Sequence, residues 1–138
     1  MKVMVMDGQG GGLGRQLVGA IKAKRPDVPL LAVGTNSAAT TAMLRAGADQ
    51  AATGENAVVV GCRTADVIVG PVGIVIADAM LGEITPTMAL AVGQSRARRI
   101  LIPVNQCDNI VAGAQGQPMA RLVQCAVEAL DQLDSCSR

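Results

Sequence analysis

A run of glycines follows the first apolar segment of the chain and has the residue types of a phosphate-binding loop. A strand that stops at glycines and restarts as a helix directs free backbone amides and the positive end of the helix dipole at one point. An anion at that point is stabilised without any charged side chain. We therefore predict a phosphate site formed by eight residues of this loop: Asp7, Gly8, Gln9, Gly10, Gly11, Gly12, Leu13 and Gly14.

The spacing of these glycines separates two kinds of nucleotide loop. The dinucleotide pattern needs glycines at i, i+2 and i+5, and from Gly8 or Gly10 the third position is not a glycine. Gly8, Gly12 and Gly14 instead fit the pattern G-x3-G-[IL]-G. A carboxylate at Asp7 would repel a phosphate unless it caps the helix or binds through a cation. The structural alternative, a tight turn without a ligand, does not need five glycines in seven residues.

Polar or glycine-containing segments also follow the later predicted strands. Because the carboxyl ends of parallel strands meet at one edge of a sheet, we expect these segments to lie beside the glycine-rich loop. Thr35 and Asn36 offer a hydroxyl and an amide for a sugar or a phosphate, or else cap the following helix. The distal part of a ligand is expected near five further residues: Gly70, Pro71, Val72, Gly73 and Asn105.

Side chains that transfer protons are scarce. The chain has no His, Phe, Tyr or Trp, which excludes a histidine base, a tyrosine acid and aromatic stacking on bases. Asp78 and Glu83 lie in an apolar stretch, where burial would raise their pKa values and make them proton carriers. Glu83 is the candidate catalytic residue, and capping of local amides is the alternative for both carboxylates. The cysteines lack the spacing of a metal or disulfide site, so we expect no metal.

The elements that must position these residues alternate between buried strands and helices. After the first strand, apolar runs predict strands over 29–34, 49–52, 65–70 and 99–104, and a short edge strand over 109–112. Helices are expected over 15–21, from 36 or 37 to 46, over 57–62, over 74–92 with a break near 82–86, and from 117 onwards. This alternation predicts a single α/β domain over 1–138, a three-layer Rossmann-like sandwich with a mostly parallel sheet of five or six strands.

Composition limits the partners of the chain. A net charge of +1 with scattered basic residues provides no surface for nucleic acid. The most apolar stretch, 67–93, contains glycines, prolines and carboxylates, as a core element does and a membrane span does not. The absence of a signal peptide predicts a cytoplasmic protein. Because 50% of the residues are hydrophobic, we expect a homodimer or a larger homo-oligomer, with the helix over 74–92 at the interface.

Six motifs together resemble a small bacterial family known only as a domain of unknown function. They are Asp-Gly-Gln-Gly-Gly-Gly-Leu-Gly at 7–14, Gly-Thr-Asn at 34–36, Ala-Thr-Gly-Glu-Asn-Ala at 52–57, Gly-Pro-Val-Gly-Ile at 70–74, Leu-Gly-Glu-Ile-Thr-Pro at 81–86 and Ile-Pro-Val-Asn at 102–105. This resemblance extends to about residue 113 and implies the fold, without an activity. The first β-α-β unit alone is similar to the nucleotide-binding loop of short-chain dehydrogenases, with Asp7 in place of Thr. The catalytic Tyr and Lys of that family have no counterpart here.

These features lead to three hypotheses about function. The first is a cytoplasmic nucleotide- or dinucleotide-binding module with a binding or regulatory role, whose ligand is NAD(P) or another adenine nucleotide. The alternative is a flavin-dependent enzyme that holds FMN at an oligomer interface, where Glu83 supplies a proton. The third is a structural or assembly subunit. The expected partners are a small-molecule nucleotide and further copies of the chain, with no nucleic acid and no membrane.

Overall fold

Five parallel strands form one sheet in the order β3-β2-β1-β4-β5. The computed structural model describes residues 1–104 and 108–136. The mostly parallel sheet predicted from the sequence is confirmed, with five strands. They are β1 Val3–Asp7, β2 Leu30–Gly34, β3 Gln50–Thr53, β4 Val67–Pro71 and β5 Arg98–Ile102.

Helices cover both faces of the sheet. Successive residues of a strand point to opposite faces, so Val3 and Val5 of β1 join one apolar cluster while Met4 and Met6 join the other. The first cluster packs against α1 Gly12–Lys24, α2 Ser37–Arg45 and α5 Met119–Cys136, and the second against α3 Glu55–Thr64 and α4 Pro86–Gln94. The predicted three-layer Rossmann-like sandwich is therefore confirmed.

Two predicted elements are wrong. Residues 109–112 form no strand, because their backbone is irregular up to the turn at 112 and does not pair with the sheet. The part of the helix over 74–92 that precedes the expected break near 82–86 is not helical either: a single 3₁₀ turn, Val72–Val75, is followed by turns, and α4 begins at Pro86, at the end of that break. Proline suits the first position of a helix, and the Oγ1 of Thr85 caps that end by accepting a hydrogen bond from the Met88 N–H.

The connections after β1 and β4 leave the sheet in opposite directions. The chain passes from β1 into α1 on one face, whereas it passes from β4 through the 3₁₀ turn towards α4 on the other face. β1 and β4 are neighbours in the sheet, so a crevice opens between their carboxyl ends. In open α/β sheets, ligands bind at this kind of reversal in strand order.

Within the described residues, no helix has the length and apolar character needed to cross a lipid bilayer.

Candidate functional site

Asp7 closes the glycine-rich loop onto the first turn of α1. Its Oδ1 accepts a hydrogen bond of 2.8 Å from the Gly8 N–H, and its Oδ2 accepts one of 2.7 Å from the Gly14 N–H. The N-cap residue, Gly11, has no side chain to make this bond. Asp7 is only 5% exposed. Its carboxylate thus caps α1 from inside the fold, which is one of the two arrangements that the sequence left open.

Burial raises the pKa of Asp7 above its ordinary value. The hydrogen bonds from Gly14 and Gly8 oppose that rise, and the nearby charge of Glu83 adds to it. A carboxylate held in this way is a structural acceptor, because both oxygens already bind backbone amides.

The glycines of the loop have two different surroundings. A Cβ added at Gly8 would lie 2.8 Å from both the Met80 Sδ and the Thr35 Oγ1. Gly11 has a φ of 73° and Gly14 packs directly against Asp7, so side chains at these positions would also collide or strain the backbone. A Cβ added at Gly10 or Gly12 would meet nothing within 4 Å. These two glycines leave the outer side of the loop open.

A cleft of about 380 Å³ lies against this open side, in the crevice between β1 and β4. The amides of Gly10, Gly12 and Leu13 make no hydrogen bond to any residue in the described part of the chain. Gly12 and Leu13 are the first two residues of α1, whose amides have no partner within the helix. Eleven residues line the cleft: Asp7, Gly8, Gln9, Gly10, Gly11, Gly12, Leu13, Gln16, Pro71, Met80 and Met119.

Glu83 lies beside Gly8 at the carboxyl end of β2 and is not among the residues that line the cleft. Its Oε1 accepts hydrogen bonds from the Gln9 N–H at 2.8 Å, the Thr35 hydroxyl at 2.7 Å and the Asn36 amide at 2.7 Å. Asn36 also caps α2, because its Oδ1 accepts a hydrogen bond from the Ala39 N–H. The polar groups expected to hold a sugar or phosphate are therefore bonded to a carboxylate of the same chain.

The pKa of Glu83 is lowered, which is opposite to the expectation from the sequence. Partial burial raises this pKa, but the hydrogen bonds from Thr35, Gln9 and Asn36 lower it by more. Glu83 is thus bound as a hydrogen-bond acceptor in this structure, and its role as a proton donor stays a prediction. Asp78, the other expected proton carrier, is exposed to solvent and not buried.

The predicted site residues divide into three groups. Seven of the eight loop residues and Pro71 line the cleft, while Thr35 and Asn36 surround Glu83. Asn105 lies outside the described residues. Four other predicted residues do not line the cleft. Gly14, Gly70 and Gly73 are buried, and Val72 is half-buried.

Gly70 illustrates why a predicted site residue can be structural. A Cβ at Gly70 would collide with the carbonyl oxygen of Met6 on the neighbouring strand. The glycine therefore permits β4 to lie close to β1 and does not contact the cleft.

The sequence did not predict three residues that line the cleft: Gln16, Met80 and Met119. Gln16 lies one helical turn after Gly12, and this i, i+4 spacing is a signal that places both residues on one side of α1. Met80 and Met119 come from the turns before α4 and from the start of α5. No local pattern identifies them, because only the tertiary fold brings these two segments to the crevice.

A larger depression of about 470 Å³ lies between α1 and α5, and its polar lining consists of the side chains Lys24, Gln124 and Glu128, without the backbone amides of a glycine-rich loop. Alanine and valine residues make up much of its wall, including Ala20, Ala23 and Val123. It also lies away from the carboxyl ends of the strands. The chemistry of the lining therefore favours the smaller cleft as the functional site.

The described residues contain no group of three or more potential metal ligands.

Residues 2–135 match the family model described as Domain of unknown function (DUF3842). The chain belongs to this family. The resemblance inferred from the six motifs is thereby confirmed over nearly the whole chain. No curated protein matches the sequence.

One solved structure with a similar fold is the dodecameric FMN-dependent UbiX-like decarboxylase from Escherichia coli O157:H7. The sequences are 18% identical, and the alignment covers 97% of this chain and 94% of that one with a TM-score of 0.47.

Proposed function

We propose that this protein binds a mononucleotide in the cleft between β1 and β4, with the phosphate on the free amides of the glycine-rich loop. The observation that carries this proposal is that the Gly10, Gly12 and Leu13 amides, beside the cleft at the reversal of strand order, have no hydrogen-bond partner among the residues that the structure describes. Amides at the start of a helix bind phosphate oxygens, and the helix dipole adds to the attraction. The role of the protein is then binding or regulation in the cytoplasm.

Two features favour a mononucleotide over NAD(P) or another dinucleotide. The cleft of about 380 Å³ is at the lower end of the range of about 300–1,000 Å³ for ligand pockets. Dinucleotide-binding folds also need a free polar group after β2 for the second ribose. Here Thr35 and Asn36 already donate to Glu83.

Flavin mononucleotide is the ligand we favour within this class. Pro71, Met80 and Met119 supply an apolar wall to the cleft, and thioether sulfur makes favourable contacts with aromatic rings. A flavin ring could pack on this wall while its phosphate binds the loop amides. Bound FMN would supply hydride or electron transfer, whereas the residues of this chain would hold the phosphate and shield the ring from water.

A flavin-dependent enzyme is the second candidate function, and it requires a proton donor from elsewhere. Asp7 and Glu83 are both bound as acceptors, so neither is available within the described part of the chain. A second copy of the chain is the source we propose. Leu81 is 98% exposed and lies next to Met80 of the cleft wall, which supports association at this edge. Light scattering that returns the mass of a single chain would contradict this association.

The absorption spectrum of the purified protein tests the proposed ligand. The chain has no Trp or Tyr and so absorbs almost nothing at the usual protein wavelength. We expect a nucleotide or flavin band, either in the protein as isolated or after incubation with FMN and removal of the excess. Mass spectrometry of the released ligand identifies it. A protein that retains no FMN and shows no heat of binding with FMN or AMP would overturn the proposal in favour of a structural subunit.

A further inference from the structure

Three hydrogen-bond donors from two loops converge on one oxygen of Glu83. The Gln9 amide comes from the glycine-rich loop, and the Thr35 hydroxyl and the Asn36 amide come from the end of β2. Three donors around one point form a subsite for an oxyanion, of the kind that a phosphate or a carboxylate would occupy in a ligand. Its occupant is a side chain from the distant loop before α4.

We propose that Glu83 is a specificity-determining residue, because its carboxylate fills this oxyanion subsite and so restricts the ligand to a single phosphate. The filled subsite involves only residues of this chain and requires no ligand. The statement about the ligand rests on the proposed function, in which one phosphate binds the Gly10, Gly12 and Leu13 amides.

The segment before α4 is built to hold Glu83 in this place. The Asp78 N–H donates to the Ile84 carbonyl at 2.7 Å, and the Glu83 N–H donates to the Met80 carbonyl at 3.2 Å. Asp78, Met80 and Leu81 have φ values of 66°, 58° and 56°, a backbone region that non-glycine residues seldom adopt. A backbone strained in this way persists only where its surroundings over-determine it.

Packing against the glycine-rich loop fixes the same segment. The Met80 Sδ and the Glu83 Oε1 both lie so close to Gly8 that an added Cβ would be 2.8 Å and 3.1 Å from them. Gly8 therefore permits the contact between the two loops. The glycine at this position serves the internal carboxylate and not an external phosphate.

The charge of Glu83 strengthens the exclusion of a second phosphate. Within the described residues, Glu83 forms no ion pair with a lysine or arginine. At the end of β2, the ribose or a second phosphate of a dinucleotide would meet an uncompensated negative charge and donors that are already occupied. A dinucleotide is thereby rejected, while a mononucleotide that occupies only the cleft is accepted.

Removal of the side chain in Glu83→Ala tests the subsite without any nucleotide. Formate carries the missing carboxylate, so we expect sodium formate to raise the melting temperature of Glu83→Ala well beyond its effect on the wild type. Sodium chloride at the same concentration controls for ionic strength. Equal shifts for the variant and the wild type would overturn the subsite. If Glu83→Ala does not fold, Glu83→Ser, which also leaves the three donors without a carboxylate, tests the same point.

The affinity for NAD tests the consequence for specificity. We expect calorimetry to show that Glu83→Ala binds NAD about tenfold or more tightly than the wild type, as two recovered hydrogen bonds would give. Glu83→Gln retains an oxygen acceptor for the same donors, so it is expected to exclude NAD as the wild type does. Asp78→Asn removes a charge from the same segment without contacting the donors and is the matched control.

The outcomes separate this inference from the proposed function. A gain of NAD binding in Glu83→Gln as large as in Glu83→Ala would overturn filling of the subsite as the cause, in favour of charge alone. If the wild type binds FMN and Glu83→Ala gains no NAD, the specificity role fails and the proposed function stands. If the wild type binds no mononucleotide but formate stabilises only Glu83→Ala, the proposed function fails and the subsite stands.

Discussion

The inner and the outer glycines of the loop after β1 differ in what surrounds them. Gly8, Gly11 and Gly14 pack against neighbouring segments so closely that no Cβ fits without movement. Gly10 and Gly12 have open space beside them and border the cleft. The density of glycines therefore has two causes. Three of them let the loop lie against its neighbours, and two leave its amides accessible to a ligand.

The largest expected effect is on stability and separates the two kinds of glycine. An added Cβ at Gly14 would be 2.6 Å from the Met43 Sδ and 2.8 Å from the Asp7 Cβ. We expect Gly14→Val to lower the free energy of unfolding by about 3 kcal/mol, as overpacking of a buried site does. Gly12→Val adds the same side chain two residues earlier, where space is open, and we expect a change below about 1 kcal/mol. Urea denaturation of both variants measures the difference. Equal losses in the free energy of unfolding would show that Gly12 and Gly14 do not differ in packing.

The next effect is on ligand binding and tests the outer glycines. A valine at Gly12 places its branched side chain over the amides that would hold the phosphate, so we expect FMN affinity to fall by about tenfold or more. Gly19→Val is the matched control, because Gly19 also has open space but lies further along α1. Calorimetry that gives the same affinity for Gly12→Val and the wild type would show that the phosphate does not bind this loop.

The smallest effect is on pH dependence and contrasts the two carboxylates beside the loop. The pKa of Glu83 is lowered in the folded protein, so its contribution to stability is present above the ordinary glutamate pKa. That contribution is lost as the pH falls through the folded pKa. The pKa of Asp7 is raised, so its contribution is fully present below the ordinary aspartate pKa and is lost as the pH rises through the folded pKa.

Two variants convert this contrast into a measurement. The stability difference between the wild type and Glu83→Gln is expected to shrink as the pH is lowered from neutral into the acidic range. The wild type is expected to lose stability relative to Asp7→Asn as the pH rises over the same range. Denaturant midpoints measured across this range give the slope of each stability difference against pH. Two slopes of the same sign would mean that the pKa of one carboxylate shifts in the opposite direction.

The sequence predicted most of the secondary structure because its signals there are local. Continuous apolar runs mark buried parallel strands, and polar caps such as Asn36 mark the starts of helices. The part of the 74–92 segment before the expected break was misread because its apolar residues continue across a 3₁₀ turn and several left-handed residues. Hydrophobicity alone does not distinguish apolar turns from a helix.

The candidate site was only partly predictable. The loop from Asp7 to Leu13 was identified from its glycines, since backbone approach requires small residues whatever the rest of the fold does. Glu83 was assigned a raised pKa because its neighbours along the chain are apolar. Its actual neighbours are three donors from residues that are 47 to 74 positions away. Those donors reverse the direction of the pKa shift.

The sequence by itself determined the alternation of strands and helices, the glycine-rich loop after the first strand, and the lack of aromatic and histidine chemistry. These properties depend on residue type and on local spacing. Only the tertiary structure decided which glycines pack and which stay open, where Met80 and Met119 lie, and what Glu83 binds. Those properties depend on contacts between segments far apart in the chain, which the strand order and the turns before α4 bring together.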